Sequence, residues 1–232
     1  RIFVNVCRAG FTCKCGGGNS ITFTNDKLTY TASTDIIIDD GKATLLNVTF
    51  SKTDVSFFDS VSSGQIIVQW YVQATTQNST GSALQNVNVS IYDVTNARES
   101  TQLSNSNGFA NGFTIKEFTQ TRTTKTVHTP HSINATLFTY LDNATTVNLT
   151  SAESNSVTLS LSLDTVAPSV TLNSPSASAT QSSSSVTINA TVTDTKLNNV
   201  TLYVDGVINN TNTSRTNGDY IYTITFSEGT HN

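Results

Sequence analysis

Apolar residues along this chain recur at every second position and not at every third or fourth. The clearest run is Ile66, Val68, Trp70, Val72 and Ala74, with Gln69, Tyr71 and Gln73 between them. Such alternation predicts a strand with one buried face and one wet face. The same period of two returns at Val87, Val89 and Ile91, at Ile133, Ala135 and Leu137, and at Val157, Leu159, Leu161 and Leu163. It returns again at Ile188, Ala190 and Val192, and at Val200, Leu202 and Val204. No segment carries a sustained helical period.

Residues that accept positive φ stand between these runs: Asp39-Asp40-Gly41, Asn107-Gly108, Asn111-Gly112, Asp205-Gly206 and Asn217-Gly218. They predict tight hairpin connections. Short strands joined this way, with no helices to make crossovers, predict an all-β chain of tandem antiparallel β-sandwiches. Two boundaries follow. The Ser60–Gly64 stretch precedes the Trp70 strand, and Asp164-Thr165-Val166-Ala167-Pro168 precedes the last runs, where Pro168 fixes φ and removes a donor, so that a strand restarts after it. The expected units are residues 1–63, 64–164 and 165–232.

Composition changes the picture of the surface. Charged residues make up 12% of the chain, whereas Ser and Thr together number 70 of 232. The wet faces are therefore hydroxyl and amide, with little ionic character. A net charge of −4 and a pI near 5.2, without any run of Lys or Arg, leave no electrostatic basis for binding nucleic acid. No stretch approaches the length of apolar sequence that spans a bilayer. A chain beginning at Arg1 and containing no Met suggests a processed or truncated product.

Several stretches resemble a known family. The segment from Asp164 through Pro168 to Pro175, then Val186–Asp194, Asn199–Gly206 and Phe226–Asn232, resembles the immunoglobulin-like modules of archaeal cell-surface proteins. The middle part, from Gln69-Trp70-Tyr71-Val72 through Leu84–Asp93 to Asn107-Gly108, is similar to another Ig-like surface module, of a kind often found after a parallel β-helix. The resemblance covers about residues 64–232 and implies tandem Ig-like sandwiches. Residues 1–63 form an N-terminal β unit, either a third sandwich or the closing turns of a β-helix. The last module stops where such modules normally continue into one more strand.

Asn-x-Ser/Thr acceptor sites occur at Asn47, Asn78, Asn88, Asn134, Asn143, Asn148, Asn189, Asn199, Asn209 and Asn212. Asn47, Asn88, Asn134, Asn148, Asn189 and Asn199 fall on the polar phase of their strands, so acceptor and hydroxyl face solvent together. N-glycans in an external compartment are the expectation. Cys7, Cys13 and Cys15 sit beside Gly16–Gly18. In an external protein one disulfide from Cys7 to Cys13 or Cys15 is expected, since a Cys13–Cys15 loop is too short for relaxed geometry.

No metal site is expected. Zinc on the cysteines would need a fourth ligand, and His128, His131 and His231 are far away in sequence. The His128-Thr129-Pro130-His131 stretch reads as a loop before a strand. Asp39, Asp40, Asp164, Asp194 and Asp205 read as turn formers and not as calcium ligands. Trp70 belongs by phase to the apolar face, which makes it a core residue and not a sugar platform. No catalytic residue or cofactor is expected: there is no Gly-x-Ser-x-Gly elbow, and Glu99, Glu117, Glu153 and Glu228 are scattered.

The functional expectation is an extracellular structural or adhesive cell-surface protein. It would be a glycosylated filament or surface-layer subunit, pairing strands with copies of itself or with other surface proteins. The strand-like run Arg1–Val6 and the missing last strand motivate that reading. The alternative is a carbohydrate-binding or spacer module of a larger surface β-helix protein.

Overall fold

The computed structural model describes residues 20–25, 36–38, 41–50, 52–53, 55–57, 63–149 and 155–232. The three cysteines, Asp39, Asp40, Glu153 and the run Arg1–Val6 lie outside them. The described residues contain strands and no helix. They form two compact units: Phe138–Leu141 goes with Ser162–Asn232, and the other described residues through Leu161 form the first.

The first unit opens with β1 (Ser20–Thr24), β2 (Ile36–Ile38), β3 (Lys42–Leu46), β4 (Val55–Phe57) and β5 (Gln65–Asn78). These strands stack in parallel. Ser20 pairs with Lys42 and Lys42 with Gln65, so the chain returns to register after 42 − 20 = 22 and 65 − 42 = 23 residues. Ile36 of β2 likewise pairs with Val55 of β4. Parallel neighbours at such a spacing are arranged as the coils of a β-helix are. Ile36, Ile38, Ala43, Leu45, Val48, Phe50, Ile66 and Val68 fill the interior. Asn25 and Asn47 turn the same corner of successive coils, both at φ 54°. Asn47 Nδ2 donates to Asn25 Oδ1 at 2.9 Å, a side-chain ladder in register with the strands. Of the two readings of the N-terminal unit, the described strands pair as the closing turns of a β-helix would.

β5 then runs on into a sandwich. It is followed by β6 (Asn88–Tyr92), β7 (Arg98–Leu103), β8 (Phe109–Thr121), β9 (Lys125–Val127), β10 (His131–Thr136), β11 (Asn143–Val147) and β12 (Asn155–Leu161). One sheet contains β5, β8, β9 and β12, continuous with the coils through β3. The other has the order β11-β10-β6-β7. On β5 one edge pairs with β8, while the opposite edge carries β3 along residues 65–69 and β12 along residues 72–78. Within the sandwich β5, β8 and β9 pair antiparallel, while β12 closes it parallel to β5, as β3 also runs. Ile66, Val68, Trp70, Val72 and Ala74 are all buried, as their alternation predicted. Facing them in the second sheet, Val89 and Ile91 pair with Ala135 and Ile133, all fully buried.

Asn111-Gly112 makes no hairpin. It lies inside β8, where two residues of β8 oppose the single Gln73 of β5, and Gly112 at φ 85° takes up the bulge. A second bulge adds Glu117 between Lys116 and Phe118, so that Glu117 and Phe118 are both buried.

Three turns of this unit share one design. Asn78, Asp93 and Asn105 each accept with Oδ1 from the backbone N–H two and four residues on. The residue three positions on is left-handed in each case: Gly81, Asn96 and Gly108. The side chain replaces a backbone acceptor, which is why Asn and Asp nucleate these turns. At Gly108 a Cβ would also collide with the carbonyl oxygen of Thr76.

The second unit comprises β13 (Ser169–Ser174), β14 (Ser185–Thr193), β15 (Val200–Val204), β16 (Val207–Asn212) and β17 (Gly218–Thr225). β13 begins directly after Pro168. A β13-β14-β17 sheet stands with the β15-β16 hairpin, whose turn residues Asp205 and Gly206 both have positive φ. Its core is small: Val192, Leu197 and Tyr220, with Val200 and Tyr222 packed against them.

Candidate functional site

The chemistry of the first unit gathers at one end of its sandwich, at the β6–β7 turn. Tyr92 pairs with Ser132, so the next residue of each strand outward from that pair, Asp93 and His131, lie side by side where β6 and β10 meet. The Val94 amide donates to the His128 carbonyl at 3.0 Å, which ties the turn to the segment between β9 and β10. Glu99 is on β7, next in the sheet to β6. Two short segments far apart in sequence, one holding Asp93 and Glu99 and the other His128 and His131, thus converge.

The geometry is close. His128 Nδ1 is 3.3 Å from Asp93 Oδ2 and 4.0 Å from Glu99 Oε1. One ligand atom from each of Asp93, Glu99 and His128 lies within 4.8 Å of the other two. His131 Nε2 is 3.7 Å from Glu99 Oε2, longer than a hydrogen bond. His131 is fully buried, and neither of its ring nitrogens has a hydrogen-bond partner. Lys116 contacts Glu99 through both its ammonium, at 3.1 Å, and its amide, at 3.2 Å. Thr119 Oγ1 lies 3.4 Å from the outward nitrogen of His128.

The carboxylates are held ionised. Burial pushes the Asp93 carboxyl up, but hydrogen bonds from Thr95, Ala97 and His128 outweigh it and bring the pKa down to about 2. Burial likewise pushes Glu99 up, and attraction to His131 and Lys116 brings it to about 2. The site therefore presents two fixed anionic groups against two imidazoles.

Sequence alone reads His128 and His131 as ordinary loop residues, whereas His131 is the first residue of β10. A His-x-x-His spacing was visible in the sequence, but the partners follow only from the register of β6 on β10, which alternation does not determine. Of the residues considered for calcium, Asp164 accepts from the Val166 amide, and Asp205 contacts His231 at 2.8 Å. Neither is drawn into a cluster of ligands. Trp70 is in the core, and its indole N–H donates to Glu117 at 2.6 Å. Lys52 approaches both oxygens of Glu117 at 2.7 Å, so the bulged carboxylate is neutralised inside the sandwich.

The acceptor asparagines differ in availability. Asn88, Asn148, Asn199 and Asn209 are exposed. Asn47 and Asn143 use their amide nitrogens as donors, to Asn25 Oδ1 and the Ser160 carbonyl. Asn78, Asn134, Asn189 and Asn212 are half-buried. Asn47 sits at a coil corner, Asn148 just after β11 and Asn199 just before β15, so none of the three is the outward residue of a strand.

Residues 168–232, all in the second unit, match the family described as bacterial Ig domain. No curated protein matches the chain. Among solved structures, a DUF3823 family protein from Parabacteroides merdae ATCC 43184 is similar at 11% identity and a TM-score of 0.28, over 69% of this chain and 82% of that one. The described residues are all-β, and residues 168–232 among them are similar to a bacterial Ig domain.

Proposed function

We propose that this chain is a non-enzymatic spacer of an extracellular surface protein, carrying a β-helix into tandem Ig-like sandwiches. The observation that supports it is β5. One uninterrupted strand serves as a rung on β3 and as the central strand of the first sandwich on β8. A shared strand transmits orientation without a hinge, which is what a module that projects others from a surface requires. The hydroxyl-rich, weakly charged wet faces suit an external setting, and Asn88, Asn148, Asn199 and Asn209 are the acceptors open to N-glycans.

Labelling intact source cells with a membrane-impermeant amine reagent tests the location: modification of lysines of this chain is expected, and a chain protected until lysis refutes it. Intact mass before and after chemical deglycosylation tests the glycans.

The filament reading has one observation in its favour. The second unit exposes apolar strand residues, Val207 at 68% and Val170 at 65%, that another strand or sheet would cover. Negative-stain images separate the two: discrete particles are expected of a spacer, regular polymers of a filament subunit.

A further inference from the structure

We propose that Asp93, Glu99, His128 and His131 bind a zinc-class divalent ion that clamps the two sheets of the first sandwich at the β6–β7 turn. Two features single this cluster out from ordinary surface charge. The first is His131. A fully buried imidazole with no hydrogen-bond partner on either nitrogen is an unfavourable arrangement, which a bound cation would relieve at Nε2, the nitrogen that faces Glu99 at 3.7 Å.

The second is the identity of residue 93. The turns at Asn78, Asp93 and Asn105 use the same Oδ1 hydrogen bonds, and Asn satisfies two of them. Only at the turn beside His128 does an Asp stand, and its second oxygen, which the turn does not use, is the atom 3.3 Å from His128 Nδ1. The carboxylate is surplus to the turn and placed for a ligand.

The donor set indicates the metal. Two imidazole nitrogens with two carboxylates suit zinc and its neighbours, whereas calcium and magnesium prefer oxygen alone. Tetrahedral zinc with bonds of about 2.0 to 2.2 Å places its ligand atoms roughly 3.4 Å apart. The 3.3 Å pair already has that separation, the 3.7 and 4.0 Å pairs must contract by roughly 0.3 and 0.6 Å, and the ligand atoms of Asp93, Glu99 and His128 all start within 4.8 Å of one another. With His128 ligating through Nδ1, its Nε2–H is left to donate to Thr119, the outer contact that orients such ligands. Four protein ligands leave no open position, so the site is structural. The ion would join β6 and β7 of one sheet to the segment leading from β9 of the other into β10.

The clean variant is Asp93→Asn, which keeps the turn as Asn78 and Asn105 do but removes the ligand oxygen. Zinc bound per chain is measured on the full chain by equilibrium dialysis in excess magnesium, beside His128→Ala. Wild type is expected to retain one zinc more than either variant, which also separates this site from metal held by the cysteines. The melting temperature of wild type, but not of Asp93→Asn, should rise with zinc, and the ring resonances of His128 and His131 should move. Equal zinc retention by wild type and Asp93→Asn, or unmoved histidine resonances at saturating zinc, overturns the proposal.

Discussion

The two units read alike in sequence and differ in what their alternation buries. In the first sandwich the inward residues of β5, β6 and β10 are buried almost without exception. In the second, β14 and β15 show the same period, yet Ile188, Ala190, Val200, Leu202 and Val204 are only half-buried. The period of two fixes which residues share a face, but what that face meets depends on how many strands lie opposite. The first sandwich has four strands against four, with β3 extending one edge, while the second sets three against two. A stable core is thus a property of strand count as much as of pattern.

Equal truncations should therefore have unequal effects. Ile133→Ala, fully buried, should destabilise the chain by about 2–5 kcal/mol. Ile221→Ala, 61% exposed in β17, should fall within about 0.5 kcal/mol. Urea unfolding with a probe in each unit measures both. Similar values would mean that the second unit has a cover in solution.

Glycine substitutions sharpen the contrast inside the first unit. Gly108→Ala combines positive φ with a collision against the Thr76 carbonyl and should cost about 2–4 kcal/mol. Gly112→Ala, at a bulge with open space, should cost only about 1 kcal/mol. Lys52→Met leaves Glu117 with the indole N–H alone, and a loss of about 1–3 kcal/mol is expected in the same assay.

The smallest effect lies in the second unit, at the exposed Asp205–His231 contact. The Asp205 carboxylate holds the His231 imidazole above its ordinary 6.5, with help from the Ser227 carbonyl. His231 in turn holds Asp205 below 3.8. The sign follows. Stability from His231 is fully present below pH 6.5 and is lost as pH rises through the raised value. Stability from Asp205 is present above 3.8 and is lost as pH falls through the lowered value. An NMR titration of His231 should show the elevated midpoint, and Asp205→Asn should return it towards 6.5.

Much of this fold was legible from the residues. Alternation identified the strands around Trp70, Val89, Ile133 and Ile188, and Asp205-Gly206 announced its hairpin. What escaped depended on pairing between distant segments. The 22- and 23-residue coils show no obvious repeat in sequence, because their interior accepts any apolar residue in phase. The Asn25–Asn47 ladder depends on that same coil register. Asn111-Gly112 has the composition of a turn, but its flanks, Ala110 and Phe113, both pair with β5, and the ladder made it a bulge. The cluster at His131 is of the same kind, since Asp93 and His131 become neighbours only through the register of β6 on β10.

Continuity of β5 is the claim on which the spacer reading stands, and residue-resolved hydrogen exchange tests it most directly. Amides of residues 65–69, which pair with β3 and β8, and those of residues 70–78 should open with a single common free energy, as one cooperative strand. Fast, independent exchange across residues 65–69 beside slow exchange across residues 70–78 would show a joint between coil and sandwich and contradict it.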